Sequence, residues 1–182
     1  MARRRSLLLA ATGAPLAAGL AGCGDAPVQR FATLADARVA VAALADGRTR
    51  TADGWPLVKV LQHAAQSIDY SIDGYPELKS AMFRHTVGAA AWGVFNARGA
   101  MRHALDEPIP GATTLDATLP LEQAIGRLMT AFARFDAHTG ALKPHFAYGA
   151  LDKPAYARAH LMHLANHWSA FVTTPPAPGP SA

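Results

Sequence analysis

The 182-residue chain carries 17 Lys and Arg against 13 Asp and Glu, a formal charge of +4, with 51% hydrophobic residues and a single cysteine. That length and apolar content suit one domain with a core of its own. One cysteine excludes a disulfide within the chain, and no Lys/Arg stripe interleaved with aromatics runs through it, which argues against nucleic acid as a partner.

The chain opens on "MARRR" and continues with an apolar run containing Gly13 and Pro15 that closes on small residues. A basic start, a short apolar stretch and small residues before a cut describe an export signal over 1–22 rather than a spanning helix. Leu20-Ala21-Gly22-Cys23 resembles the lipobox of bacterial lipoproteins, in which the cysteine is acylated and becomes the first residue. Arg4 to Leu9 also resembles a twin-arginine signal. The expectation is lipidation at Cys23, a tether over 23–31, and a protein anchored in the cell envelope, facing the periplasm. Arg3, Arg4 and Arg5 would leave with the signal and no acid would, so the charge of +4 falls to +1.

From residue 32 onward helical periodicity recurs, broken by Gly/Pro loops, and no strand-like alternation is sustained. Thr33 to Gly47 starts on a capping residue and stops on glycine. The next helix has Pro56 at its start and the turn Gly74-Tyr75-Pro76 at its end. Leu57, Leu61, Ala64, Ile68 and Ile72 share one side of it, and His63, Ser67 and Tyr70 another. Leu78 to Leu105 is Ala/Gly-rich and reads as a long helix with bends expected near Gly88, Gly93 or Gly99. Asp106 to Pro120 is a loop. Leu121 to His138 carries Leu121, Ile125, Leu128, Met129, Phe132 and Phe135 on one stripe. After a second loop, Asp152 caps a last helix with Pro154 in its first turn, running to about Phe171. The fold class is all-α, a four-helix bundle over 32–172 with a crossover connection. The tail, 173–182, is Pro-rich and reads as disordered.

Three of the eight histidines fall in "HLMHLANHW". On a helical wheel His160, His163 and His167 lie within about 60° of each other, on the stripe shared by Tyr156, Leu164 and Phe171 and opposite Met162, Asn166 and Ser169. The imidazoles therefore face the interior, where an unpaired polar group costs about 1–3 kcal/mol. A divalent cation satisfies several at once. His163 and His167, four apart, stand on successive turns and reach one ion. His160 is too far along the axis to share it and becomes a neighbour of the site. The third ligand comes from elsewhere, with His63 the first candidate and His145 the second. His85, His103 and His138, beside arginines or at a helix end, read as exposed.

"LQHAAQSIDYSIDGYP" together with "HFAYGALDKPAYARAHLMHLANHWSAF" resembles a bacterial family catalogued as domain of unknown function 1569, placed in the DinB/YfiT-like superfamily. His63, Gly74-Tyr75-Pro76, Tyr148-Gly149, and His163 with His167 stand at the positions that carry the likeness. The resemblance implies a four-helix bundle whose three histidines, His63, His163 and His167, bind a divalent metal, zinc or nickel; the positions of His160, His145 and Tyr70 in the chain make them the candidates for a supporting shell. It also implies kinship with thiol-dependent transferases and an isomerase. Asn166 and Ala170 depart from the family pattern, which has His and Gln there. Low-molecular-weight thiols are also scarce outside the cytoplasm.

Two functions follow as expectations. One is a metal-dependent hydrolase or transferase acting on a small molecule, without a carboxylate obviously placed as base, since Asp69 and Asp73 lie near a helix end. The other is a non-catalytic envelope lipoprotein with a structural or sensory metal site or none, the histidines in the latter case being core residues satisfied by Tyr70, Tyr156 and Ser67. The expected partners are the membrane through the lipid anchor, a small molecule, and a second copy in a dimer.

Overall fold

Residues 30–175 are described by the computed structural model; they are mainly helical, with one two-stranded antiparallel pairing. The expected leader, Cys23 and the end of the Pro-rich tail lie outside the described residues. Among those residues no helix is long and apolar enough to cross a membrane.

Helix α1 (Leu34–Ala43) starts on a reciprocal cap. The Thr33 hydroxyl accepts the Asp36 N–H at 3.1 Å and the Asp36 carboxylate accepts the Thr33 N–H at 2.9 Å, which satisfies two donors the first turn would leave orphaned. A short strand β1 (Thr49–Thr51) follows. Helices α2 (Leu57–Asp73) and α5 (Leu121–Ala137) each begin directly after a proline, Pro56 and Pro120, where the missing N–H costs nothing. Helix α6 (Lys153–Trp168) has Pro154 in its first turn, and the Asp152 carboxylate accepts the Ala155 N–H at 2.8 Å.

The core forms where α2 lies along α5, with α1 against α5 and α6, and α6 against α2. Leu61, Ala64 and Ile68 of α2 and Ile125, Leu128, Phe132 and Phe135 of α5 are buried in one cluster. This is the ridge pattern that periodicity predicts. Helix α6 departs from the one-faced wheel. Met162, expected on the outer face, is fully buried along with Leu161, Leu164 and His167. A helix enclosed by its neighbours buries both flanks, and its residue pattern then no longer marks an inner face.

Two boundaries move relative to the sequence reading. The expected helix 78–105 is a segmented one: α3 (Ala81–Phe83), a π-helical turn (Arg84–Gly88) and α4 (Ala89–Arg98). It stops at Gly99, whose φ of 61° is left-handed and suits glycine, so 100–105 joins the long connection to α5. The π turn has a local cause: the Thr86 hydroxyl donates to the Met82 carbonyl at 2.7 Å, competing with the helical bond of that carbonyl. At the other boundary α6 ends at Trp168 rather than near Phe171. Phe171–Thr173 instead forms β2, paired antiparallel with β1 as Thr51↔Phe171, Arg50↔Val172 and Thr49↔Thr173. Thr173, read as the start of the disordered tail, therefore belongs to the fold. Three-residue strands are too short to show alternation, which is why they left no sequence signal.

No side chain of α4 is buried. This segment meets the turn at 145–149, where Trp92 and Phe95 approach the Tyr148 ring at 5.9 and 6.2 Å, and it meets α6, where the Arg158 guanidinium donates to the Asn96 side-chain oxygen at 2.6 Å and to its carbonyl at 3.0 Å. Gly88 makes that approach possible, because a Cβ there would lie 1.8 Å from the Ala147 carbonyl oxygen. Gly88→Ala therefore forces the turn or the helix aside. Its expected cost is about 2 kcal/mol, as for other overpacked positions, despite alanine's better helix propensity. Chemical denaturation of the two proteins checks this, and an alanine variant as stable as the parent would contradict the close approach.

Candidate metal centre

Two packed helices bring the predicted ligands together. His63 stands mid-way along α2, and His163 and His167 stand one turn apart on α6. Candidate ligand nitrogens of the three all lie within 4.8 Å of one another. The Nε2 atoms of His163 and His167 are 3.2 Å apart. Two nitrogens on one tetrahedral zinc, each about 2.0–2.1 Å from it, stand about 3.3 Å apart, so this pair already has the spacing that an ion requires. The rings meet edge to face, with centroids 4.8 Å apart for His63 and His163, 5.2 Å for His63 and His167, and 5.0 Å for His163 and His167. Trp55 packs edge to face on His63, with ring centroids 5.1 Å apart.

The electrostatics suit ligands. Burial, and secondarily the neighbouring His103, pushes His63 down to about 4. Burial, then His63 and His103, pushes His167 down to about 3. His163 is held well below the usual value by burial and by the surrounding imidazoles. All three are neutral at pH 7 and carry free lone pairs, which metal binding requires. Nδ1 of His63, Nδ1 of His167 and Nε2 of His103 are buried without a hydrogen-bond partner. Such groups each cost about 1–3 kcal/mol when left unmet. Each neutral ring still carries one N–H, and His163 and His167 share a hydrogen bond between their Nε2 atoms; a cation could take a lone pair from all three rings at once, and an all-imidazole set suits zinc, nickel or copper rather than magnesium or calcium.

His103 was read from sequence as exposed. In the structure it is half-buried, with its ring 4.9 Å from His163 and 5.1 Å from His167. The signal that could have found it was Gly99: a helix ending there lets the following residues turn back over the end of α6. Asn166 holds them, its side-chain amide donating to the His103 carbonyl at 3.2 Å. His138 was also read as exposed but is half-buried, and its Nε2 has no partner. It lies near Gly140, away from the cluster. His85 is exposed, as expected.

The remaining candidates divide. His145 and His160 stand apart from the three ligands but line a cavity of about 170 Å³ together with His63, His103 and His163. Burial pushes both His145 and His160 down to about 3, with His160 adding to the shift of His145. His145 accepts the N–H groups of Ala147 and Tyr148 on Nδ1 at 3.1 and 3.2 Å, so its proton resides on Nε2. The ring stacks on Tyr148 at 4.2 Å. His160 directs Nε2 at the Ser71 hydroxyl, 3.4 Å away; that hydroxyl already donates to Ile68, so His160 is the donor. Tyr70 packs instead on Tyr75, ring centroids 5.7 Å apart, and takes no place beside the ligands. Asp69 and Asp73 are both occupied by Arg134 on the surface. The carboxylate that does line the cavity, and that the sequence reading missed, is Glu107.

Residues 28–174 match a family described as Protein of unknown function (DUF1569). No curated protein and no solved structure matches the chain.

The buried imidazoles set the pH dependence of the metal-free protein. Unfolded, each takes up a proton near pH 6.5; folded, His63 stays neutral down to about 4 and His145, His160 and His167 to about 3. Between these values only the unfolded state binds the protons. Stability present above pH 6.5 is therefore lost as pH falls, by about 1.4 kcal/mol per pH unit for each such histidine. Denaturant midpoints of chelator-treated protein should drop steeply from pH 7.5 to pH 5.5. Equal midpoints would mean that these rings are not held neutral.

Proposed function

We propose that this chain, which belongs to the DUF1569 family, is a metal-dependent enzyme, a hydrolase or transferase that acts on a small molecule. The observation that carries the reading is the convergence of His63, His163 and His167, of which His63 and His163 line a cavity. A purely structural zinc is closed off by four protein ligands, whereas a catalytic one keeps a position open beside a pocket.

A divalent ion held by these imidazoles would polarise a substrate oxygen or lower the pKa of a bound water. The chain's own groups divide the rest. The cavity is close in volume to one of about 150 Å³ that holds benzene, so its occupant is compact. Met101, Ile109 and Phe146 supply apolar wall. His145, with its proton fixed on Nε2, offers a neutral hydrogen-bond donor to a substrate oxygen. His160 offers the lone pair of Nδ1. Glu107 and Lys79, both exposed and both lining the cavity, stand where a base or a counter-charge for a polar substituent is needed.

The packing of α1, α2, α5 and α6 supports reading the fold as the four-helix bundle of the DinB/YfiT-like superfamily, with the segment between α2 and α5 as the crossover. The leader pattern supports an exported protein, acylated at Cys23 and anchored in the envelope with the bundle facing the periplasm. In that setting a small molecule of the periplasm, rather than a cytoplasmic thiol, is the substrate.

Elemental analysis of the purified chain should find close to one zinc or nickel per molecule. His163→Ala should lose it and the distant His138→Ala should keep it. No metal, and no thermal shift on adding zinc or nickel, would refute the reading. Separately, Cys23→Ser should move the protein out of the membrane fraction, and unchanged fractionation would refute acylation.

A further inference from the structure

We propose that His103 is a fourth ligand of the same metal, delivered by the connection between α4 and α5 rather than by a helix. This rests on the metal-centre reading above and extends it.

The position of the ring is the first support. The centroid of His103 is 4.9 Å from His163 and 5.1 Å from His167, the same separations as those among the three predicted ligands, 4.8 to 5.2 Å. Spacings near 5 Å also occur in ordinary ring packing; what marks His103 is that it meets both α6 histidines at once.

The tautomer is the second. Nδ1 of His103 lies 2.8 Å from the Ala104 carbonyl. A carbonyl only accepts, so Nδ1 carries the proton and Nε2 carries the free lone pair. An imidazole bound to metal through one nitrogen typically donates the other N–H to a backbone carbonyl or carboxylate, which fixes the ring and raises its basicity. His103 is prepared in that way, and its Nε2 is buried with no other partner.

The third is the tether. Asn166 lies between the two α6 ligands in sequence and binds the His103 carbonyl at 3.2 Å. The helix that presents His163 and His167 thus also holds the loop that presents His103. Met101 and Ile109 on either side of it are buried, which anchors the loop at both flanks.

The set of ligand atoms within 4.8 Å of one another comprises His63, His163 and His167 and does not include His103. The three helix-borne histidines are fixed by packing, while the fourth closes by a small movement of a loop side chain. His103 also lines the cavity. It is therefore the ligand that can give up its place to an entering small molecule, which reconciles a four-nitrogen resting site with an open catalytic position.

Cobalt(II) loaded into the purified full-length chain tests this, because its visible absorption reports the donor set. His163→Ala reports on the parent reading and should abolish cobalt binding. His103→Ala should keep cobalt but with a shifted visible band and an affinity lower by at least about tenfold, the loss typical when even an outer support of a metal site is removed. Added imidazole should then restore the parent's band by filling the gap left by the side chain, and an exposed control, His85→Ala, should match the parent throughout. A band and affinity unchanged in His103→Ala, with cobalt lost in His163→Ala, would overturn the fourth ligand while leaving the three-histidine centre standing. A change that imidazole does not restore would also overturn direct ligation. Failure of the parent chain to bind cobalt would remove both.

Discussion

Imidazoles buried inside a helical core must be met by something, and this constraint organises the molecule. Helix α6 is enclosed by its neighbours, yet it presents His160, His163 and His167 along its length. Each ring brings two nitrogens into the packed interior or onto the wall of a small cavity. An isolated buried histidine finds a hydroxyl or a carbonyl, as His160 does with Ser71. His163 and His167 find mainly each other, and across the interface they find His63. Two neutral rings can share one hydrogen bond, as the Nε2 atoms of His163 and His167 do, but Nδ1 of His63 and Nδ1 of His167 are left without a partner, and burial disfavours protonation.

The rest of the fold can be understood as support for that arrangement. The extensive contact of α2 with α5 fixes His63 in place. The turn at 145–149 sets His145 over the far side of the cavity, and the turn in turn depends on Gly88, where a helix passes so close to the Ala147 carbonyl that no side chain fits. Pairing of β1 with β2 ties the exit of α6 to the connection between α1 and α2. Each device is modest in energy. Together they hold neutral imidazoles at two ends of one small cavity, with apolar wall between them.

The legible part of the site was the part written in helical spacing. His163 and His167 are four apart, and a 3.6-residue turn places them together whatever surrounds the helix. The choice of His63 followed from its position off the apolar ridge of α2, which is again local geometry. His103 was illegible for the opposite reason. Its neighbours Arg102 and Ala104 are those of a surface helix, and its inward turn depends on the helix stopping at Gly99 and on Asn166 being near enough to hold the loop. Met162 misled in the same way: a wheel assigns an outer face to every helix, and an enclosed helix has none.

By itself, then, the sequence determined most of the helices, their capped starts, the ridge of the core and the pairing of His163 with His167, because capping, periodicity and the i, i+4 relation act within one stretch of chain. Only the tertiary structure decided which loops fold over the end of α6, that Asp69 and Asp73 are occupied by Arg134 while Glu107 faces the cavity, and that the chain after α6 returns as a strand. Those outcomes depend on contacts between residues far apart in sequence, whose energies exist only once the helices have packed and closed the space between them.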